Sequence, residues 1–339
     1  MAEAVPVAVG NPARTSQFPQ LSVVIPFKAS AVNSFSQLAA RWRPMAGSHI
    51  EVLICDGSSP EVFAENLRQP LGRIRHIPVD RTSYSYQNDK VNGLCTGIRA
   101  SSSNLVITCD DDIILTPSQI YELAGLDTVR QFIKIRSFPE TLTAFETIEV
   151  VRSLISNCIR CTSDTLTIVL GSRDELLSML EGMDGNLLFD DRALEWSLRR
   201  ASHCVSIHPE ILARRIPSSP AKWVEQQVRY AYEDIPLLAK TGLFLLSPFV
   251  AWYLSQLDRG LLYAYMTMLA GVFFAAAAIG RKRANLAQHC PAWVPCLGPA
   301  WFLIRSCAVP VALIVWCMGG LHYGGRRVRR PARVQFWGW

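Results

Sequence analysis

Leu105-Val106-Ile107-Thr108-Cys109-Asp110-Asp111-Asp112 is an apolar run shaped like a buried strand that ends in three consecutive carboxylates. Adjacent charges of one sign repel by about 4 kcal/mol per close pair at an effective dielectric near 20, so the tip of a buried strand is a poor place to leave them bare. A cation is expected there. The simplest candidate is a divalent metal carrying a phosphorylated ligand, because hard Mg²⁺ or Mn²⁺ prefers one or two carboxylates completed by phosphate oxygens and water. The plainer alternative is a solvated turn in which Asp112 caps a following helix.

The bulk composition narrows the class. With 339 residues, half of them hydrophobic, and a positive mean hydropathy, the chain can bury a full core and still has apolar sequence left over. The excess is concentrated at one end. Up to about Tyr232 the composition is that of a soluble α/β protein, whereas from Ile235 onward charges are sparse and long apolar runs appear. Residues 1–20, rich in Ala, Pro and small polar side chains, are expected to be disordered; they lack the basic start and apolar core of a signal peptide. A cytoplasmic domain with reduced cysteines is therefore expected. Among the ten cysteines, Cys158 and Cys161 have CxxC spacing, but no second pair or neighbouring His completes a zinc site.

Residues 236–257 and 260–280 each approach the roughly 20 apolar residues a helix needs to cross a bilayer, and a tight Asp258-Arg259-Gly260 link pairs them as a hairpin. Arg281-Lys282-Arg283 follows the second span and, by the positive-inside rule, places that end in the cytoplasm. A third apolar stretch, with a span at about 298–320, is interrupted by Arg305 and Pro310. If it crosses once, the basic tail Arg326-Arg327-Val328-Arg329-Arg330 lands outside; if it is re-entrant, the tail stays inside. The tail suits anionic lipid headgroups better than nucleic acid, since no aromatic-basic interleaved surface accompanies it. The net charge of +6 owes much to these clusters. The expected organisation is thus a globular domain over 21–232, a membrane region over 233–323 and a basic tail over 324–339.

Within the soluble part, strands and helices alternate. Leu21–Ile25, Ile50–Ile54, Ile74–Val79 and Leu105–Thr108 read as strands, and Ser34–Arg43 and Asn88–Ala100 as helices. Such alternation predicts a mostly parallel sheet, whose ligands bind beyond the carboxyl ends of the strands. Asp56 and the Asp110–Asp112 cluster both fall at strand ends. They should line one crevice.

The order of these elements resembles the family 2 glycosyltransferases with a GT-A fold, the nucleotide-diphospho-sugar transferase fold, and specifically the membrane-integrated branch that includes cellulose, chitin and hyaluronan synthases. Ser22-Val-Val-Ile-Pro26 looks like the family's opening strand, and Cys55-Asp56-Gly57-Ser58 like its base-holding acidic turn. Lys90-Val-Asn92 falls where the family places a Lys and Asn near the donor, and Asp110-Asp111-Asp112 occupies the place of its DxD motif. Gly171–Leu176 is similar to a Gly-containing segment beside the acceptor, and Phe189-Asp190-Asp191 to the Glu-Asp motif. Gln226-Gln227-Val228-Arg229-Tyr230 resembles the QxxRW signature, with Tyr in place of Trp.

The resemblance implies inverting transfer of a hexose from a UDP-sugar to a saccharide or lipid-linked acceptor, in polysaccharide synthesis at the cell membrane. It implies Asp112, with Asp110, as ligands of Mg²⁺ or Mn²⁺, Asp56 at the nucleobase and Lys90 at the diphosphate. Each has a bland competitor, since Asp-Gly-Ser is an ordinary turn and Lys90 suits a helix surface. Asp191 is the expected general base, because an acceptor hydroxyl needs a carboxylate to take its proton as attack begins; Asp190 is the alternative. Gln226, Arg229 and Tyr230 stand at i, i+3 and i+4, so they share a helix face from which Arg229 could fork onto phosphate oxygens. Alternatively, that helix lies at the membrane surface with Arg229 snorkelling. Tyr230 keeps an aromatic face but less contact area than Trp for an acceptor sugar, with Trp223 a substitute only if the helix runs that far. Two clear spans are few for threading a polymer, so a translocation path would call for a second copy or another subunit. Other classes of reading are nonprocessive transfer to ceramide or polyprenyl phosphate, and an inert membrane scaffold on the same fold.

Overall fold

The computed structural model describes residues 21–29, 32–47, 49–126, 131–159, 166–186, 188–323 and 326–328. The N-terminal residues 1–20, Cys161 and most of the expected basic tail lie outside the described residues.

Strands β1 (Leu21–Phe27), β2 (Ile50–Asp56), β3 (Arg75–Pro78) and β4 (Leu105–Thr108) alternate with helices α1 (Val32–Trp42), α2 (Pro60–Asn66) and α3 (Asp89–Ala100). After β4 come β5 (Ile113–Ile114), α4 (Pro117–Ala124), β6 (Gln131–Pro139), α5 (Ala144–Ile159), β7 (Leu166–Ser172), α6 (Arg173–Gly182), α7 (Asp190–Arg200), β8 (Cys204–Arg215) and α8 (Pro220–Asp234). They form one eight-stranded sheet ordered β3-β2-β1-β4-β7-β6-β8-β5. The β1, β2, β3 and β4 pairings are parallel, as is β6 with β8, while β7 and β5 run antiparallel to their neighbours. The expected fold class, a mostly parallel α/β sheet followed by apolar helices, is the observed one.

Side chains alternate across a strand, and the sheet uses both faces. Leu21, Val23, Ile25 and Phe27 of β1 join Phe35, Leu38 and Trp42 of α1 and Ile120 and Leu123 of α4. Val24 faces the opposite layer with Val91, Leu94 and Ile98 of α3, Leu176 and Leu180 of α6, and Leu194 and Leu198 of α7. Strands buried on both faces explain why the sequence reads as continuous apolar runs.

The register fixes where ligands can meet the sheet. Phe27 lies opposite Asp56, Asp56 opposite Pro78, and Val24 opposite Thr108, so the carboxyl ends of β1 to β4 share one edge. Antiparallel β7 corrects one expectation. Ser172 pairs with Leu105, at the start of β4, and Arg173 N–H donates to Asn104 O. The Gly171–Leu176 segment therefore sits at the edge opposite the three aspartates, not beside an acceptor. Its glycine has a packing reason, because a Cβ at 171 would lie 2.4 Å from the Phe132 ring.

Three further helices, α9 (Leu238–Leu257), α10 (Arg259–Arg283) and α11 (Gly298–Cys317, entered through a 3₁₀ turn at Val294–Leu297), are long and apolar enough to cross a membrane. Asp258 accepts a bond from Leu261 N–H and so starts α10 directly after α9. The first two are largely uncovered by protein, whereas α11 has a buried stripe of Trp301, Phe302, Arg305, Ala308, Val309 and Ala312 at helical spacing. Both flanks of α11 rest on the α/β unit. The 3₁₀ turn packs on α5, and a hairpin of β9 (Leu321–Tyr323) with β10 (Arg326–Val328) reaches α8, where Tyr232 Oη donates to Val328 O.

Helix α10 meets α5 backbone to backbone: Gly280 faces Leu154, and the Arg283 guanidinium bonds Cys158 O. A Cβ at 280 would come within 1.7 Å of Leu154 O. Gly280→Val should therefore destabilise the fold by about 1–3 kcal/mol or more through overpacking. Gly242 in α9 has open space around its Cα, so Gly242→Ala should be neutral or stabilising by up to about 1 kcal/mol. Thermal midpoints in detergent check both, falling for the first variant only.

Candidate functional site

At the sheet edge, one ammonium joins three parts of the sequence. Lys90, in the first turn of α3, places Nζ 2.7 Å from Asp110 Oδ1 and 3.0 Å from Asp190 Oδ2. Asn88 caps α3 by accepting from Lys90 N–H, which fixes where the lysine starts its reach. Asp190 opens α7, and Asp110 follows the end of β4. Burial raises the Asp110 carboxyl pKa; Lys90 pulls it down, and the neighbouring Asp190 and Asp112 carboxylates push it up again. Burial and Asp112 likewise raise Asp111. Arg41 of α1 donates to Asp111 O at 2.7 Å and so ties this loop to the first layer.

Asp112 has another neighbourhood. Its carbonyl accepts from Ile216 N–H at 2.8 Å, and Lys222 Nζ of α8 stands 3.7 Å from its carboxylate. Helix α8 therefore begins beside the acid cluster. Among the described residues no group of three or more His, Cys, Asp or Glu is assembled as a metal cage. Asp110, paired with Lys90, and Asp112 both carry the oxygen donors a divalent cation prefers. They offer hard oxygens on side chains 23% and 22% exposed, and the crowding of negative charge at Asp110 is what such an ion relieves. Asp191 is the second residue of α7, and its side chain lies outside the described set.

Asp56 reaches the same edge but is closed in. Its Oδ1 accepts from Ser58 N–H, and Oδ2 from Asn66 Nδ2 at 2.8 Å, with His76 Nε2 at 3.0 Å. Burial would raise this carboxyl; the bonds from His76, Ser58 and Asn66 outweigh it and hold the pKa below the usual range. His76 stacks between Phe35 and Phe63, with ring centroids 4.5 Å away on each side. The accessible groups beside Gly57 are instead Lys28 and Arg81, each bonded to Asp89 at 2.7 Å. Sequence reasoning missed this pair. Nothing in the local pattern around Asp89 points to Arg81.

On α8, Tyr230 stacks on Phe189 at 5.2 Å and 7°, and the Arg152 guanidinium lies 4.1 Å from its ring. Burial, with Glu149 beside it, pushes the Tyr230 phenol up to about 12. Arg229 lies over the Tyr323 ring at 4.0 Å and the Phe189 ring at 5.4 Å. Among the described residues two buried polar atoms on this face, Gln226 Oε1 and Arg229 Nε, have no hydrogen-bond partner, a state that invites a ligand. Trp223 does belong to α8, but its ring packs on Phe145 at 5.0 Å and is 8% exposed.

Glu146 and Glu149 of α5 were not singled out from sequence. Glu146 is buried, takes Arg215 Nη2 at 2.7 Å and the Ser218 N–H at 2.6 Å, and so holds the turn from β8 into α8. Glu149 pairs with Arg152 at 2.6 Å beneath Tyr230. Their heptad-like burial in a helix of apolar mean gave no signal that the faces they occupy are polar.

No protein-family model and no curated protein sequence matches the chain. Among solved structures, it is similar to a mannosyltransferase from Pyrobaculum calidifontis in complex with GDP-Man and Mn²⁺, at 14% identity and TM-score 0.48, over 88% of this chain and 87% of that one. It is also similar to glucosyl-3-phosphoglycerate synthase from Mycobacterium tuberculosis in complex with Mn²⁺, UDP and phosphoglyceric acid, at 15% identity and TM-score 0.39, over 60% of this chain and 72% of that one.

Asp89 supplies a pH test. Burial would raise its pKa, yet bonds from Arg81, Lys28 and Asn92 hold it at about 2, below the unfolded carboxylate near 3.9. A depressed folded pKa contributes stability above the unfolded value and loses it as pH falls toward the folded one. With its cationic partners half-exposed, the contribution is about 1–2 kcal/mol. The unfolding free-energy gap between the unmodified chain and Asp89→Asn should be full above about pH 5, shrink as pH falls and vanish only near about pH 1, measured by denaturant titration.

Proposed function

We propose that this chain is a membrane-embedded inverting glycosyltransferase that moves a sugar from a nucleoside diphosphate sugar, with UDP the expected nucleotide, to a saccharide or lipid-linked acceptor. The observation that carries the reading is Lys90 bridging Asp110 and Asp190, because it gathers a donor-side lysine, the strand-end acids and the helix that holds the expected base at one sheet edge. Three apolar helices follow directly on α8, which suits an enzyme working at a bilayer surface.

The roles follow from charge and placement. When bound, Mg²⁺ or Mn²⁺ at Asp110 and Asp112 neutralises the diphosphate oxygens as they take up charge. Lys90 and Arg229 add cationic donors to the same leaving group, and Gln226 a neutral one. Asp191, in the first turn of α7, accepts the acceptor hydroxyl proton as its oxygen bonds to the anomeric carbon. The bond from that carbon to the diphosphate breaks on the opposite face, which inverts the centre. Asp190 then orients this turn through Lys90.

One observation favours nonprocessive transfer to a lipid over polymer elongation. Tyr230 is covered by Phe189 and Arg152, and Trp223 by Phe145, so neither ring offers a broad platform for a growing saccharide. For polymer synthesis, a second copy or another subunit would complete the path through the bilayer.

The test is to reconstitute the chain in vesicles with UDP- and GDP-sugars and Mg²⁺ or Mn²⁺, following nucleotide release and product size. Transfer to a single lipid is expected. Asp191→Asn should lower kcat by about 10²- to 10⁴-fold, the usual contribution of a positioned base. Equal turnover by Asp191→Asn in the presence of acceptor rejects the base assignment, and no metal-dependent release from any donor rejects the enzymatic reading.

A further inference from the structure

Arg305 is the one charge in the Val294–Cys317 stretch and is 1% exposed. A guanidinium so deeply buried is held only if its donors are bonded and its charge is matched. Among the described residues its Nη1 and Nη2 partners all lie on α8, and its Nε has no hydrogen-bond partner. Nη1 donates to Gln227 O at 3.2 Å, and Nη2 donates to Tyr230 O and to the Asp234 carboxylate. Positions 227, 230 and 234 recur at three and four residues, so they form one stripe of α8, adjoining the stripe of Gln226 and Arg229. The stripe ends at the helix C-terminus, where a cation also meets the negative end of the helix dipole. Lys240 Nζ, 2.7 Å from the same Asp234 carboxylate, ties in the start of α9. On the other side, the C-terminal hairpin grips α8 through Tyr323 on Arg229 and through Val328 O on Tyr232.

We propose that Arg305 is a positioning residue: from the third apolar helix it sets the rotation and depth of α8, and thereby aims Gln226 and Arg229 at the diphosphate of the donor. This rests on the donor-site reading above. Arg305 itself touches no substrate. Its planar fork can reach two carbonyls and a carboxylate together, which a lysine ammonium on a flexible stem does less well. A displacement of about 1 Å at groups that must meet a diphosphate costs on the order of 100-fold in kcat/KM.

The experiment measures binding of UDP and GDP with Mn²⁺ by calorimetry in detergent, alongside donor kcat and KM, for the full chain and for Arg305→Gln, Arg305→Lys, Gln226→Ala and Arg305→Gln/Gln226→Ala. Arg305→Gln should weaken nucleotide binding at least tenfold and raise donor KM, with Arg305→Lys recovering part of the loss. Because Arg305 acts through α8, the double variant should bind no more weakly than about twofold below the weaker single variant, whereas independent sites would multiply. Unchanged nucleotide affinity in Arg305→Gln, or multiplicative losses in the double variant, overturns the proposal. Should Arg305→Gln fail to fold, Arg305→Lys carries the same comparison with Gln226→Ala. A chain that binds nucleotide through Arg305 but transfers no sugar overturns the enzymatic reading alone.

Discussion

The Lys90 ammonium, shared between Asp110 and Asp190, is the contact on which the rest of the site depends. It spans the end of a central strand, the start of one helix and the start of another. Without a cation between them those two carboxylates would repel inside a partly desolvated edge. The same requirement explains why the surrounding architecture is so heavily braced. Arg41 holds the loop between them by its backbone, and Glu146 holds the turn that brings α8 alongside.

Polar bracing continues beneath this edge and merges with the apolar helices. Glu149 and Arg152 lie under Tyr230, and Arg305 and Asp234 close the end of the same helix. Each of these four charges is matched by an opposite one a few ångströms away, so the desolvation each suffers is offset by pairing. The α/β unit and the apolar helices are accordingly one mechanical body at α8, not a soluble head tethered to a membrane stalk. The backbone contact between Gly280 and Leu154 makes a second weld on α10.

Much of this was legible beforehand. The apolar runs of β1, β2 and β4 identify buried strands, and the parallel crossovers they require put Asp56 and Asp110–Asp112 on a common edge, because parallel strands end together. Asn88 before an apolar-periodic stretch marks the start of α3, which is what aims Lys90. Other features carried no local signature. The reversal of β7 depends on long-range pairing, so Gly171 was placed at the wrong edge. The closure of Asp56 by His76 and Asn66 joins residues from three elements, and the partners of Arg305 lie more than seventy residues upstream. Periodicity reports which face is apolar; it does not report which distant group will neutralise a charge.

The small β9–β10 hairpin has a consequence for how the chain threads. Its last described residue, Val328, is bonded to Tyr232 at the threshold of the first apolar helix. Entry and exit of the whole apolar region are thereby stapled together. Whatever compartment bathes the sheet also holds this hairpin, and a bilayer spanned by the α9–α10 pair is left by the chain on the side where it went in.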